Sequence, residues 1–118
     1  IADLTLYQDL PQTPLSIDAF FFNMAIAEDS TYIGSGALDG NGIPTDFFTD
    51  LDVRKGFNYA FDWETYINDA YMGEAERRGS PIIEGLAFYN PDASMYSLDL
   101  AKAEEYLKAA WGGELWEK

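Results

Sequence analysis

The chain has 118 residues, 21 acidic and 7 basic side chains, a net charge of −14, and neither Cys nor His. Without Cys there is no disulfide frame, thiol nucleophile or Cys-held zinc, and without His the usual proton shuttle and the commonest metal ligand are missing. The charge repels nucleic-acid phosphates and anionic lipid, so neither is expected as a partner.

The length supports a single domain. An apolar fraction of 47%, with eight Phe, eight Tyr and three Trp, favours a packed core over disorder. No stretch approaches the roughly 18 to 20 apolar residues that span a bilayer. The longest apolar feature is Ala19-Phe20-Phe21-Phe22. The chain opens on Ile1 without a basic segment and apolar run, and it ends just after Leu115 and Trp116 without a closing turn. Both ends read as cut, so the expectation is a piece of a longer protein, with a processed small protein as the alternative.

In chain order, Leu4-Thr5-Leu6-Tyr7 reads as a strand and Pro11 and Pro14 as loop punctuation. Ile17 to Met24, short and rich in Phe and Ile, reads as a buried strand. Residues 34 to 46 form a Gly-rich excursion in which Asp39-Gly40 and Asn41-Gly42 supply turn conformations, while Ile33, Leu38, Ile43 and Phe47 offer buriable side chains. Thr49 followed by Asp52 has the form of a capping box. The helix it starts would present Val53, Phe57 and Ala60 on one face and carry Gly56 at a cost of about 1 kcal/mol relative to Ala. Asp62 caps a second helix with an inner face of Trp63, Ile67 and Ala70, flanked by Tyr66 and Tyr71, and Gly73 ends it. Residues 74 to 98 are irregular, with a short extended piece at Ile82-Ile83. Asp99 caps a third helix with the stripe Leu100, Ala103, Leu107 and Ala110, extended by Trp111 and closed by Gly112.

Several clusters invite a chemical reading. Aligned to an EF-hand loop, residues Gly34 to Asp46 place Gly40 at the sixth position. Ser35 and Ala37 then fall at ligand positions and Asp46 at the twelfth. Ala cannot ligate and Ser is a poor first ligand, so a structural turn is favoured over calcium. Asp50/Asp52 and Glu74/Glu76 are carboxylate pairs of the kind acid–base hydrolysis uses. Asp50 and Asp52 flank a helix start, where the dipole stabilises acids, which is explanation enough. Glu104 and Glu105 read as a solvated helix face. Arg54-Lys55 and Arg77-Arg78 are expected to pair with neighbouring carboxylates, with anion binding as the alternative. The Phe20–Phe22 run alternates sides, so one face could line a ligand cleft, although core packing is the favoured use. No phosphate-binding glycine motif is present.

The segment Asp52-Val53-Arg54-Lys55-Gly56-Phe57-Asn58-Tyr59-Ala60-Phe61-Asp62 resembles the D-V-R-x-A…A-x-D segment of the oligopeptide/dipeptide-binding family. These are extracytoplasmic solute-binding proteins of ABC importers. Phe20-Phe21-Phe22-Asn23 looks like the family strand that precedes that helix, and Ile33 to Pro44 is similar to an insertion of one branch. Thr65-Tyr66-Ile67, Gly73, Ser80-Pro81-Ile82 and Gly85 follow the family order, and Tyr96 with Asp99 to Ala103 and Leu107 resembles its Y-D-x-x-K-A-x-x-L-L helix. Gly56 stands where Ala is usual, and Ile83 where a second Pro is common.

The resemblance implies that residues 1–118 are a single partial domain from the second (C-terminal) lobe of a two-lobed protein. The expected fold is α+β, with about three helices on a small incomplete sheet in a lobe of the type II periplasmic-binding-protein kind. It implies capture of an oligopeptide or related small solute outside the membrane, periplasmic or at the cell surface, and delivery to ABC permease subunits. It implies no enzyme activity, no catalytic residue, no metal and no cofactor, and it assigns ligand contacts to no numbered position. Val53, Arg54, Ala60 and Asp62 read as scaffold, with Arg54 as a surface or helix-end ion-pair partner. Two alternatives stay open: a stand-alone carbohydrate- or small-ligand-binding module, suggested by the aromatics and acids, and a carboxylate hydrolase using Asp50, Asp52, Glu74 or Glu76. A partial lobe would leave strand edges and apolar surface uncovered, so self-association is expected.

Overall fold

The computed structural model describes Thr5 and residues 19–117. Two compact units emerge, Ile1–Ala19 with Arg78–Ser94, and Phe20–Arg77 with Met95–Lys118. The second holds the three α-helices of the described residues: α1 (Leu51–Ala60), α2 (Trp63–Tyr71) and α3 (Leu100–Ala109).

α1 begins one residue later than the capping box suggests. Its N-cap is Asp50, whose Oδ1 accepts from the N–H of Asp52 at 2.7 Å and of Val53 at 3.2 Å. Thr49 instead closes a 3-10 turn, Phe47–Thr49, which leads into the helix. The other two caps fall where the sequence places them. Asp62 accepts from the Thr65 N–H and hydroxyl, and Asp99 accepts from the Lys102 N–H. In each case a carboxylate satisfies an amide that the first helical turn leaves free. α2 ends on Met72, which takes the left-handed conformation at φ 54° ahead of Gly73 at φ 79°. The left-handed exit therefore starts one residue before the expected glycine.

α1 and α3 run antiparallel. The start of α1 meets the exit of α3 through Asp50 and Trp111, and the end of α1 meets the start of α3 through the Asp99 N–H donating to the Tyr59 carbonyl at 2.9 Å. The residues at this contact are small. Val53 and Gly56 of α1 are buried, as are Ala103 of α3 and Ala110 just beyond it. A Cβ on Gly56 would stand 2.6 Å from Leu107 Cγ, so the absence of a side chain is what lets the helices approach this closely. Val53, Ala103 and Ala110 lie inward as the sequence places them, but other positions of the expected inner faces are corrected. Phe57, Ala60 and Leu100 are exposed, Leu100 at 65%, and so is Ala70 of α2. Periodicity marks a face but not which edge of it the partner helix covers.

Phe47, Val53 and Ala110 form the core at the α1 start, with Leu38, Ile43, Phe48, Trp111 and Leu115 packed around them. Leu38 and Ile43 come from the Gly-rich excursion, which is thereby tied to the core. Its ends are pinned by the Ile43 N–H donating to Ile33 O at 2.9 Å and by an isolated antiparallel bridge between Gly34 and Gly42. A Cβ on Gly34 would fall 2.1 Å from Asn41 O, and one on Gly42 would fall 2.3 Å from Ile33 O. Only glycine lets these backbones cross.

That bridge is the sole β pairing among the described residues, so the small sheet is not seen there. Residues 19–24 form no strand, and Ile82-Ile83 lies among bends and turns, with the Leu86 N–H donating to Ile83 O at 3.1 Å. A strand exists through inter-strand hydrogen bonds, and no such ladder is formed beside Phe20–Phe22. The strand expected at Leu4–Tyr7, Thr5 apart, lies outside the described residues, as do Ile17 and Asp18.

Candidate functional site

The Phe20–Phe22 run does alternate. Phe21 is 89% exposed, whereas Phe20 and Phe22 turn to two different aromatic groups. Phe22 packs on Phe48 and Phe57, with ring centroids 5.2 and 6.2 Å away. Phe20 joins Phe61, Trp63 and Tyr66 at 5.5, 6.0 and 5.6 Å. Phe61 and Trp63 themselves lie 4.5 Å apart, and Tyr71 extends the group from Tyr66 at 5.6 Å. Asp62 organises this assembly, because its cap starts α2 between Phe61 and Trp63 and sets Trp63 and Tyr66 one turn apart on one face. No residue of α2 is fully buried, so the assembly remains partly open to solvent.

Arg77 closes one side. Its guanidinium lies over the Trp63 ring, 4.9 Å from the centroid, and its Nη2 donates to the Tyr96 carbonyl at 2.5 Å. Burial lowers its pKa from the usual arginine value. Trp63 Nε1 is buried and meets no acceptor among the described residues. The sequence singled out Arg77 but not its ring partner. The density of Phe61, Trp63 and Tyr66 around Asp62 is the signal that could have pointed to it.

The expected pairing of the cation doublets with carboxylates is not found among the described residues. Arg54 Nη1 donates to the carbonyls of Phe48 at 2.6 Å and Thr49 at 2.8 Å, so it secures the turn before α1 and is no ion-pair partner. Lys55 sits 4.7 Å from the Tyr106 ring centroid. Arg78 Nη1 is buried without an acceptor among the described residues. Tyr59 stacks on Tyr106 at 5.7 Å, with Lys102 over Tyr59 at 5.1 Å.

Of the carboxylate pairs, Asp50 is committed to backbone amides. Burial pushes Asp50 toward the neutral form, but hydrogen bonds from the Trp111, Val53 and Asp52 amides and the charge of Arg54 outweigh it and hold the pKa below the usual carboxylate value. A carboxylate so held is poorly suited to act as a general acid. Glu74 and Glu76 lie exposed after α2, with the Glu74 N–H donating to the Tyr71 carbonyl. In the Gly-rich loop, Asp39 accepts from the Ser35 hydroxyl and the Asn41 N–H, both at 2.8 Å, which supports the turn reading. Of the scaffold residues, Val53 is fully buried, Arg54 and Asp62 brace helix starts, and Ala60 is exposed.

The family described as bacterial extracellular solute-binding proteins, family 5 Middle, matches residues 3–117. The chain belongs to this family. No curated protein and no solved structure matches it. Membership implies a solute ligand and an extracytoplasmic location for the protein that carries these residues. Among the described residues no helix is long and apolar enough to cross a membrane.

Proposed function

We propose that this chain is a central part of the second lobe of a two-lobed solute-binding protein that captures oligopeptides or related small solutes and hands them to the permease subunits of an ABC importer. The observation that carries the reading is the family match over residues 3–117. The structure adds two supports. Its best-organised carboxylates, Asp50, Asp62 and Asp99, serve as helix caps. Phe21 and Met72 are 89% and 87% exposed, which is apolar surface that further parts of a lobe would cover. In the whole lobe the irregular stretches around these helices complete a mixed α+β fold.

Capture is a hinge closure of two lobes around the solute, in which the closed state is selected by contacts to both. No bond is made or broken and no cofactor takes part. Calorimetry on the protein that carries residues 1–118, titrated with tri- to pentapeptides and in parallel with mono- and disaccharides, tests this. Peptide binding with a negative heat-capacity change is expected. Saccharide binding with no response to peptides overturns it in favour of a carbohydrate-binding module.

A further inference from the structure

Of the five asparagines in the chain, Asn41 is the one that precedes a glycine. Asparagine is thermolabile because the backbone nitrogen of the next residue can attack its side-chain amide, most easily when that residue is small and its N–H is not tied to a carbonyl. The other asparagines are each held back. Asn58 and Asn68 lie inside α1 and α2, where the helix fixes the backbone, and Asn58 Nδ2 also donates to the Arg54 carbonyl at 2.8 Å. Asn23 and Asn90 use their side-chain oxygens to accept from the Ala25 and Asp92 N–H groups at 3.1 and 3.0 Å. Asn90 is also followed by Pro91, whose nitrogen carries no proton. Asn41 is exposed, and its side chain makes no hydrogen bond among the described residues.

The backbone beside it is equally open. Gly34 and Gly42 face each other as a non-hydrogen-bonded pair, flanked by the Ile43 N–H donating to Ile33 O at 2.9 Å and the Ser35 N–H donating to Asn41 O at 3.4 Å. Among the described residues the Gly42 N–H therefore donates to no carbonyl. What restrains it is the exposed Asp39 carboxylate, which it shares with the Asn41 N–H and the Ser35 hydroxyl. Water replaces an exposed side-chain acceptor through an opening of the loop alone, without unfolding the helices.

We propose that Asn41 is a self-modification site, which deamidates through the Gly42 nitrogen to an isoaspartate that opens the Gly-rich loop. In the first step the Gly42 nitrogen gives up its proton and bonds to Asn41 Cγ. The bond from Cγ to the side-chain nitrogen breaks, and that nitrogen leaves with the proton as ammonia. Water then opens the succinimide ring. Cleavage at Cγ gives aspartate, and cleavage at the main-chain carbonyl carbon gives isoaspartate, whose chain runs through Cβ and Cγ. Water is the co-reactant, and nothing is oxidised or reduced.

Isoaspartate adds one carbon to the main chain where there is least room for it. A Cβ on Gly34 would already stand 2.1 Å from the Asn41 carbonyl oxygen and 2.9 Å from Gly42 Cα. The acceptor of the Ser35 N–H moves out of the chain path, and the new carboxylate lies beside the charge of Asp39. The crossing of these backbones is what brings Leu38 and Ile43 onto the core of Phe47, Val53 and Ala110. Its loss frees both side chains. This inference is independent of the solute captured.

The test ages the full protein at 37 °C and pH 8, folded and in parallel in 6 M guanidinium chloride. Each asparagine is followed by peptide mapping, with enzymatic methylation to mark isoaspartate. In the folded protein Asn41 is expected to convert at least tenfold faster than any other asparagine, and within tenfold of its rate in the denatured chain, with isoaspartate as the main product. The separated isoaspartate form is expected to show a lower urea midpoint than fresh protein and faster exchange of the Ile43 amide. N41Q, which would need a larger ring, should keep its midpoint through the same ageing. N41D adds the charge without the extra carbon and should keep most of the wild-type midpoint. Conversion of Asn41 more than tenfold slower in the folded than in the denatured chain overturns the modification site, and that comparison needs no variant to fold. An isoaspartate form with the midpoint of fresh protein overturns the loop opening. An N41D midpoint as low as that of the isoaspartate form overturns the role of the extra carbon.

Discussion

Asp50 Oδ2 accepts a hydrogen bond from the backbone N–H of Trp111 at 2.8 Å, across 61 positions of sequence. The other oxygen caps α1 through the Asp52 and Val53 amides, so one side chain holds both the entry of α1 and the exit of α3. Trp111 needs that anchor. It lies at φ 54°, a conformation that bulky residues rarely adopt, followed by Gly112 and Gly113 at 66° and 95°. Replacing Asp50 by Ala removes the cap and a charge-assisted bond together, a loss of about 2–3 kcal/mol. Asn keeps one oxygen and loses less. Urea unfolding followed by circular dichroism should show the order wild type, D50N, D50A in midpoint at constant m.

The same carboxylate sets the acid limit of the fold. Among the described residues three carboxyls are held below the ordinary value. For Asp50 the amide hydrogen bonds and Arg54 overcome burial; for Asp39 the Asn41 amide and Ser35 hydroxyl act; for Asp62 the Thr65 amide and hydroxyl act. A folded pKa below the unfolded value of about 3.9 means that the contribution is complete above that pH and is lost as pH falls through the folded values. Stability should therefore drop below about pH 4. The gap between wild type and D50N should shrink over the same range. Urea midpoints at pH 7, 4 and 3 in 0.5 M salt, which screens the general repulsion of the acidic surface, measure this. A gap that persists undiminished at pH 3 would contradict it.

Local chemistry was legible in the sequence, and partner choice was not. Asp62 and Asp99 announce their helices because a cap is written within four residues. The pattern Thr49…Asp52 fits the same rule but loses to Asp50, whose second oxygen is committed to Trp111 far along the chain. Of the expected faces of α1 and α3, Val53, Ala103 and Ala110 are buried as expected, but Phe57, Ala60 and Leu100 are exposed and Gly56 stands at the contact, since close helix approach rewards small residues. The cation doublets looked like ion pairs by composition, but among the described residues Arg54 and Arg77 donate to carbonyls and Lys55 and Arg77 lie over rings. The Trp63–Arg77 pair escaped for the same reason: only folding brings the guanidinium over that ring.

Gly56 gives the sharpest contest between two local rules. Alanine there gains about 1 kcal/mol of helix propensity. Its Cβ would sit 2.6 and 2.7 Å from Leu107 Cγ and Cδ2 and 3.4 Å from the Ala103 carbonyl oxygen, and overpacking of this kind costs about 1–3 kcal/mol. Because Cγ is near the root of the Leu107 side chain, the clash cannot be relieved by moving a tip alone. G56A should therefore destabilise by about 1 kcal/mol net. L107A alone should also destabilise, whereas the G56A/L107A double variant should be more stable than the two losses added together. Thermal midpoints of the four proteins complete the cycle. Additive losses would show that the helices can part at no cost and that Gly56 is merely tolerated.

Arg54 separates hydrogen bonding from ion pairing. Its Nη1 draws on the carbonyls of Phe48 and Thr49, which end the 3-10 turn and have no helix partners of their own, and its weaker reach to the Asp50 carbonyl is 3.4 Å. A charged donor to neutral acceptors contributes about 1.5–3 kcal/mol when partly buried. That contribution depends little on ionic strength, whereas an exposed ion pair is worth about 0–1 kcal/mol and fades with salt. R54A should lower stability by about 1.5–2 kcal/mol, and the loss should stay the same between 0.05 and 0.5 M NaCl on the order of 0.3 kcal/mol. R54K should recover part of the loss, because all of these contacts come from the single nitrogen Nη1, which an ammonium can replace as far as its shorter stem reaches. A loss that disappears at high salt would assign Arg54 to an ion pair instead, with Asp50 as the partner, since that carboxylate already responds to its charge.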